Sequence, residues 1–481
     1  MSVFSTYLPA AALLTLLSFP VKAQQQPAAP NIVFILADDL GYGDLSAYGQ
    51  KKFSTPHIDQ LAKQGMRFTQ FYAGTSVCAP SRASLITGLH TGHTFIRGNK
   101  EIEPEGQQPI ADTVITLMEV LKKAGYTSGI FGKWGLGPVG SPGDPLKQGV
   151  DRFYGYNCQR QSHRYFPTHL WDNDTQIPLE ENGNLAQMKT YAPDMIQQQA
   201  LRFLDDNKNK PFFLYLTYTL PHAELQVPDD SIFRRFKGRF EERPYKGQDY
   251  GPGATAAGYA SQQYPHATFA AMVTRLDMYV GQVMDRLKAL GLDKNTLVIF
   301  TSDNGPHTEG GADPAFFNSA GGLNGFKGDL YEGGIRVPMI ARWPGKIAPG
   351  STSDFAATFY DVLPTLSELA HTAPPAGLDG LSFVPTLLGQ QQTPHDHLYW
   401  EFAEKAGQQA VRMGNWKGVR RNVKKMPEGP IELYDLKTDP AETKNVAADH
   451  PDIVNKIAQI MRSDRTESKE FPLREIAKKA K

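Results

Sequence analysis

Short apolar runs alternate with helical periods along most of this chain. Asn31-Ile32-Val33-Phe34-Ile35-Leu36 is almost continuously apolar, the pattern of a strand covered on both faces as in a parallel sheet. It breaks into Ala37-Asp38-Asp39-Leu40-Gly41. Similar runs predict strands at 126–131, ending at Gly132-Lys133, at 211–216, running out at Pro221-His222, and at 296–300, ending in Ser302-Asp303-Asn304-Gly305; 335–340 predicts a fifth. Between them, Asp112 or Thr113 is the expected cap of a helix with Val114, Leu117, Leu121 and Ala124 on one face, stopped by Gly125. Residues 195–206 predict another helix. Phe269, Met272, Val273, Leu276, Val280, Val283, Leu287 and Leu290 mark a long one, with Gly291 at its C-terminal end.

This alternation predicts an α/β fold: a mostly parallel central sheet flanked by helices. Such sheets bind ligands outside the carboxyl ends of their strands. Here four strands end in polar groups: Asp38 and Asp39, Lys133, His222, and Asp303 with Asn304. After about residue 388 the pattern changes. Short strand candidates at 398–402, 410–413, 416–419 and 431–435 predict a small antiparallel sheet, packed by a charged helix near 451–463. The expected organisation is an α/β domain over 24–388 and a small α+β subdomain over 389–481. Two stretches, 141–193 and 223–264, are rich in Gly, Pro, Tyr and charge and read as surface insertions. The lysine-rich tail from Ser468 reads as solvated.

Charge adds one exclusion. The 481 residues carry 50 basic and 50 acidic side chains, so nothing draws the whole molecule to nucleic acid and any anion recognition is local. Residues 1–23 read as a secretory signal, with an apolar run from Ala10 to Phe19 and a small-residue cleavage site at Val21-Lys22-Ala23. A periplasmic or secreted product without a membrane span is expected after cleavage. An N-terminal anchor is the alternative, though the run is short for crossing a bilayer. Two cysteines, Cys78 and Cys158, would pair in the simplest reading of an exported chain.

The chemistry centres on Cys78-Ala79-Pro80-Ser81-Arg82, which opens into Ala83-Ser84-Leu85-Ile86-Thr87-Gly88. Pro80 fits just inside a helix start. Cys78 therefore sits where free N–H groups favour an anion, with Arg82 one turn on. Asp38, Asp39, Asp303 and Asn304 are hard oxygen ligands suited to Ca²⁺ or Mg²⁺ rather than Zn²⁺; Asp-capped turns are the simpler alternative. Lys133 and Lys327 are flanked by glycines that let an anion approach closely, though a lone lysine is ordinarily solvated. His222 has the chemistry of a general acid.

The segment from Cys78 to Gly88 resembles the signature of the type I, formylglycine-dependent sulfatases of the alkaline phosphatase superfamily. The resemblance runs from about residue 31 to 447, through Glu432-Leu433-Tyr434-Asp435 and Asp439-Pro440. It implies an alkaline-phosphatase-like fold. It implies that a formylglycine-generating maturation enzyme oxidises Cys78 to an aldehyde whose hydrate is the nucleophile. Asp38, Asp39, Asp303, Asn304 and the modified Cys78 would surround one divalent cation, usually calcium. Lys133 and Lys327 would hold sulfate, Arg82 would orient the diol, and His222 would protonate the departing alcohol. A covalent sulfate would form and be expelled by the second hydroxyl. A sulfated carbohydrate is the expected substrate. One departure stands out: the family usually has a histidine two residues after the first lysine, where this chain has Gly135. A substitute could come from Tyr154-Gly155-Tyr156-Asn157-Cys158-Gln159-Arg160-Gln161-Ser162-His163-Arg164-Tyr165. His163 is the favoured stand-in, and with Arg164 the expected substrate contact. Phosphodiester or phosphonate monoester hydrolysis on the same scaffold is the alternative reaction, and a sulfated-glycan-binding protein that has lost catalysis is the alternative class.

Overall fold

The computed structural model describes residues 1–6, 29–183, 187–249 and 258–474. The apolar run and cleavage site read at 10–23 lie outside the described residues, as does the end of the tail. The strands are β1 (Asn31–Ala37), β2 (Met66–Tyr72), a two-residue hairpin β3 (Glu101–Ile102) and β4 (Gly106–Gln107), β5 (Thr127–Lys133), β6 (Arg152–Tyr156), β7 (His169–Asp172), β8 (Thr175–Pro178), β9 (Phe212–Thr217), β10 (Thr296–Ser302), β11 (Arg336–Arg342), β12 (Ser351–Ser353), β13 (Ala357–Thr358), β14 (Leu398–Phe402), β15 (Gln408–Met413), β16 (Trp416–Arg421) and β17 (Ile431–Asp435).

The main sheet runs β12-β2-β11-β10-β1-β9-β5-β6-β7-β8, with β13 also on β2. Its centre, β10-β1-β9-β5-β6, is parallel throughout. Antiparallel strands flank it on both sides. Every residue of β1, β9 and β10 is buried, which is why their sequences are apolar without alternation. Val33 and Ile35 point into one core with the helices Pro56–Gln64, Ala192–Asp206 and Pro265–Ala289. Ile32, Phe34 and Leu36 point into the other, with the helices Cys78–Thr87, Leu117–Lys123 and Val362–Leu369. Among the described residues no helix is long and apolar enough to cross a membrane.

Three expectations are corrected. The helix expected from Asp112 or Thr113 begins at Leu117, because Thr116 forms a capping box: its N–H donates to the Glu119 carboxylate at 2.8 Å and its hydroxyl accepts from Glu119 N. The stretch 141–193 is not simply a surface insertion. It supplies β6, β7 and β8, and buries Tyr154, Tyr156 and Tyr165. The expected fifth strand, β11, pairs antiparallel with β10, and the pattern did not reveal β2 beside it.

The four C-terminal strands form an antiparallel meander, β14-β15-β16-β17, on which the helix Pro451–Ser463 buries Ile457 and Met461. This sheet is joined to the larger layer by buried polar contacts. Trp400 Nε1 donates to Ala73 O at 2.9 Å. Lys417, fully buried on β16, lies 2.9 Å from carboxylate oxygens of both Glu332 and Glu442. Removing one member of such a group strands charge in the interior, so Lys417→Ala is expected to lose about 3–5 kcal/mol in a denaturant titration. Burial, then the neighbouring Glu332, pushes Glu442 up to about 7 from 4.5. The folded state therefore holds this proton more tightly than the unfolded chain. Its contribution is full below about pH 4.5 and fades as pH rises to about 7. Glu442→Gln should flatten that part of a stability–pH profile.

Candidate active site

The parallel centre aligns the carboxyl ends of β1, β5, β9 and β10 along one edge. In register, Ala37 pairs with Ser302 and Gly132 with Thr217, so the residues that follow emerge side by side. Asp39 follows β1 with φ 60°, a left-handed conformation that aspartate tolerates better than most residues. Its backbone N–H donates to Asp303 Oδ1 at 3.0 Å. Asn304 Nδ2 donates to Asp39 Oδ1 at 2.6 Å.

Cys78 begins the helix Cys78–Thr87, after an extended Val77 and ahead of a left-handed Gly88. Ser81 Oγ donates to Asp303 O at 2.6 Å and pins the helix start to the β10 edge. The thiol lies 3.3 Å from Asp38 Oδ1 and 3.9 Å from Asp39 Oδ1. Arg82 donates from Nε to Asp303 Oδ2 at 2.9 Å and from Nη1 to Lys133 O at 3.1 Å. Lys133 Nζ donates to Asp38 Oδ2 at 2.7 Å. Lys327 Nζ reaches Asp39 Oδ2, His222 Nε2 and Glu309 Oε2, each at 2.9 Å. The structure thus brings together Asp38, Asp39, Cys78, Arg82, Lys133, His222, Asp303, Asn304 and Lys327.

Burial and charge set the protonation of the site. Burial opposes the Asp38 carboxylate, yet Lys133, His222 and Arg82 together hold it well below the usual range. Burial, with Asp38 next, pushes Asp303 up to about 7. The same two causes push the Cys78 thiol well up, so the unmodified side chain is a neutral, poor nucleophile. Burial, then Lys327, pushes His222 down to about 4. Its Nδ1 faces Ala223 O, leaving Nε2 to accept from Lys327. Burial works against charge on Lys327, but Asp39 and Glu309 hold its proton firmly.

His163 stacks on His222 with ring centroids 4.4 Å apart and planes 11° from parallel, and burial holds it neutral. Arg164 turns to Glu224 and to Gly258 O at 3.3 Å. Cys78 and Cys158 are both free and buried, so the disulfide reading is set aside. Sequence reasoning missed Glu309, its hydroxyl partner Tyr259 at 3.0 Å, and His307, whose ring lies 5.5 Å from His222. His307 and Glu309 share the loop that follows Asp303-Asn304, and that proximity was the available signal.

Gly135 has φ 75°, and a Cβ there would lie 2.1 Å from Gln159 Nε2. The space a side chain would take is filled from the neighbouring segment. Gly135→Ala should lose more than about 1 kcal/mol in thermal or chemical unfolding, through backbone strain and displacement of Gln159.

The donor set suits a hard divalent cation. Ligand atoms of Asp38, Asp39, Cys78 and His222 lie within 4.8 Å of one another, Asp303 Oδ1 accepts from Asp39 N, and Asn304 Oδ1 is buried with no hydrogen-bond partner among the described residues. A mostly parallel sheet presenting acids, cations and a helix-start side chain at its strand ends is the architecture shared with hydrolases of the alkaline phosphatase superfamily, as comparison with known proteins shows. The chain belongs to the sulfatase family: the Sulfatase family model matches residues 30–372, and the model for the C-terminal part of N-sulphoglucosamine sulphohydrolase matches 326–468. It is a sulfuric ester hydrolase. Human arylsulfatase A is 34% identical over 90% of this chain and 87% of its own length. The N-acetylgalactosamine-6-O-sulfatase of Bacteroides thetaiotaomicron is 30% identical over 95% of this chain and 98% of its own. The crystal structure of Ps i-CgsB, also solved in complex with k-i-k-neocarrahexaose, superposes with a TM-score of 0.75 at 27% identity, covering 91% of this chain and 94% of that one.

Proposed function

We propose that this protein is an exported sulfatase that removes sulfate from a sulfated carbohydrate, using residue 78 as a formylglycine. The observation that carries the reading is the placement of Cys78 within 3.3 Å of Asp38, whose other oxygen is held by Lys133 at 2.7 Å. Export is supported by the apolar N-terminal run, and the carbohydrate by relatives named for N-acetylgalactosamine sulfate. A maturation enzyme that oxidises Cys78 is required, because the buried thiol itself is held protonated.

A hard divalent cation, calcium by resemblance to the family or else magnesium, would be held by Asp38, Asp39, Asp303, Asn304 and residue 78, and would stabilise negative charge there. Asp38, Asp39, Asp303 and Glu309 are paired with Arg82, Lys133 and Lys327. Two added positive charges would relieve the crowding of these carboxylates and favour an anionic sulfate ester.

One hydroxyl of the hydrated aldehyde gives its proton to the Asp303 carboxylate and attacks sulfur, breaking the S–O bond to the alcohol, while Lys133 and Lys327 neutralise the sulfate oxygens. The leaving alkoxide takes its proton from His222 Nε2, the charge of the bound sulfate favouring the imidazolium, while Lys327 keeps its own proton and remains a cation. The second hydroxyl then gives its proton to the neutral His163 imidazole, the aldehyde C=O re-forms, and the C–O bond to sulfate breaks, so that sulfate leaves residue 78. Arg82 keeps that side chain oriented through its bonds to Asp303 and the Lys133 carbonyl. The neutral His163, stacked on His222, is our proposed stand-in for the imidazole that Gly135 lacks.

Cys78→Ala and Lys133→Ala should each abolish turnover of an aryl sulfate while the far-ultraviolet spectrum stays native; near-normal rates in either would remove that residue from the mechanism. The intact peptide containing residue 78 should weigh less than its encoded mass, since oxidation exchanges sulfur for oxygen. A chelator should suppress turnover and lower the melting temperature, and added calcium should restore both. An aryl phosphodiester or phosphonate turned over faster than the matching aryl sulfate would favour the alternative reaction.

A further inference from the structure

Three buried amides cluster beside this site with their polar atoms unused. Gln159 and Asn157 are 3% and 1% exposed, and in both the side-chain nitrogen and oxygen have no hydrogen-bond partner among the described residues. Gln107, 1% exposed, leaves its Nε2 free while its Oε1 accepts from Gln159 N at 2.9 Å. Folded proteins rarely leave so many buried polar atoms unpaired in one place, and each costs about 1–3 kcal/mol unless water or a ligand fills it.

The cluster surrounds Gly135. Gly135 N donates to Asn157 O at 3.0 Å, and Gln159 Nε2 occupies the space over its Cα. Lys133, two residues earlier, reaches Asp38. The short helix Gln159–Ser162 ends at His163, which stacks on His222. The amides therefore adjoin the segment that leaves β5 two residues after Lys133 and the short helix that ends at His163.

Their chemistry selects the ligand. Gln159 and Asn157 each offer a donor and an acceptor, whichever way the amide is turned. Sulfate oxygens only accept, so the free carbonyls disfavour them. Hydroxyl groups both donate and accept, and satisfy such a set. We propose that Gln159, Asn157 and Gln107 form a neutral subsite for hydroxyl groups of the sugar that bears the sulfate. This deepens, and rests on, the sulfatase reading above.

Gln159→Leu removes one amide at nearly constant volume. The ratio of kcat/KM for N-acetylgalactosamine 6-sulfate to that for 4-nitrophenyl sulfate should fall at least about tenfold, since only the sugar carries hydroxyls. Calorimetric binding of sulfate-free N-acetylgalactosamine to the purified protein should weaken by a similar factor, independently of turnover. The melting temperature should hold or rise, because an unpaired buried amide has been replaced by an apolar group. If leucine disturbs packing, Gln159→Met supplies an unbranched replacement of the same reach. An unchanged ratio with unchanged or absent sugar binding would show amides that are merely hydrated, and would overturn the subsite. An equal loss on both esters would reduce Gln159 to a structural role. Sugar binding that depends on Gln159 in a protein that cleaves neither ester would instead keep the subsite and sink the sulfatase reading.

Discussion

The structure is organised by the need to hold like charges together away from water. Asp38, Asp39 and Asp303 are buried at the ends of two adjacent parallel strands, close enough that a backbone N–H of one bonds the carboxylate of another. Ionised carboxylates in such a place are tolerated only with compensating charge and directed hydrogen bonds. Arg82, Lys133 and Lys327 supply both, each from a different element. Removing any one cation changes the protonation of the whole group, which is why the charged residues act as a unit rather than as independent contacts.

That arrangement explains the rigidity around it. A parallel sheet fixes which strand ends are neighbours, and the buried apolar strands permit little slippage of register. The helix at Cys78 is tied to the β10 edge by Ser81 and to the β5 edge by Arg82. The position of residue 78 is therefore set by two side chains of the same short motif, three and four residues after it. The motif encodes its own docking as well as its chemistry.

Next to the buried charges sit two neutral rings, one of them in contact with Lys327 and Asp39. His222 and His163 stack face to face, an arrangement that two imidazolium rings would resist, and burial keeps both neutral. Gly135 and Gln159 exchange roles at the end of β5: the strand residue withdraws its side chain, and the following segment fills the space. A change that looks like a loss in one motif is thus accompanied by a side chain brought in from another.

The apolar run of β1 and its abrupt end at Asp38-Asp39 were legible from the chain alone, because a strand buried on both faces leaves an unbroken signature and a charged pair must terminate it. The same holds for β9 and β10, for the C-terminal meander, and for the helix start at Cys78. The capping of Leu117–Lys123 by Thr116 was misread because several polar residues precede that helix and local pattern cannot rank them. The outlying strands β2, β7 and β8 were missed because partly exposed strands carry weak periodicity. The association of Glu309 with Lys327, of His163 with His222 and of Gln159 with Gly135 could not be read at all. Residues 18, 59 and 24 positions apart meet only once the sheet has set the direction of every loop. Local sequence determined which residues could bear the chemistry, since side-chain type and strand ends are local properties. Which of them touch, and therefore which proton rests where, was decided by packing, because distance and burial exist only in the folded chain.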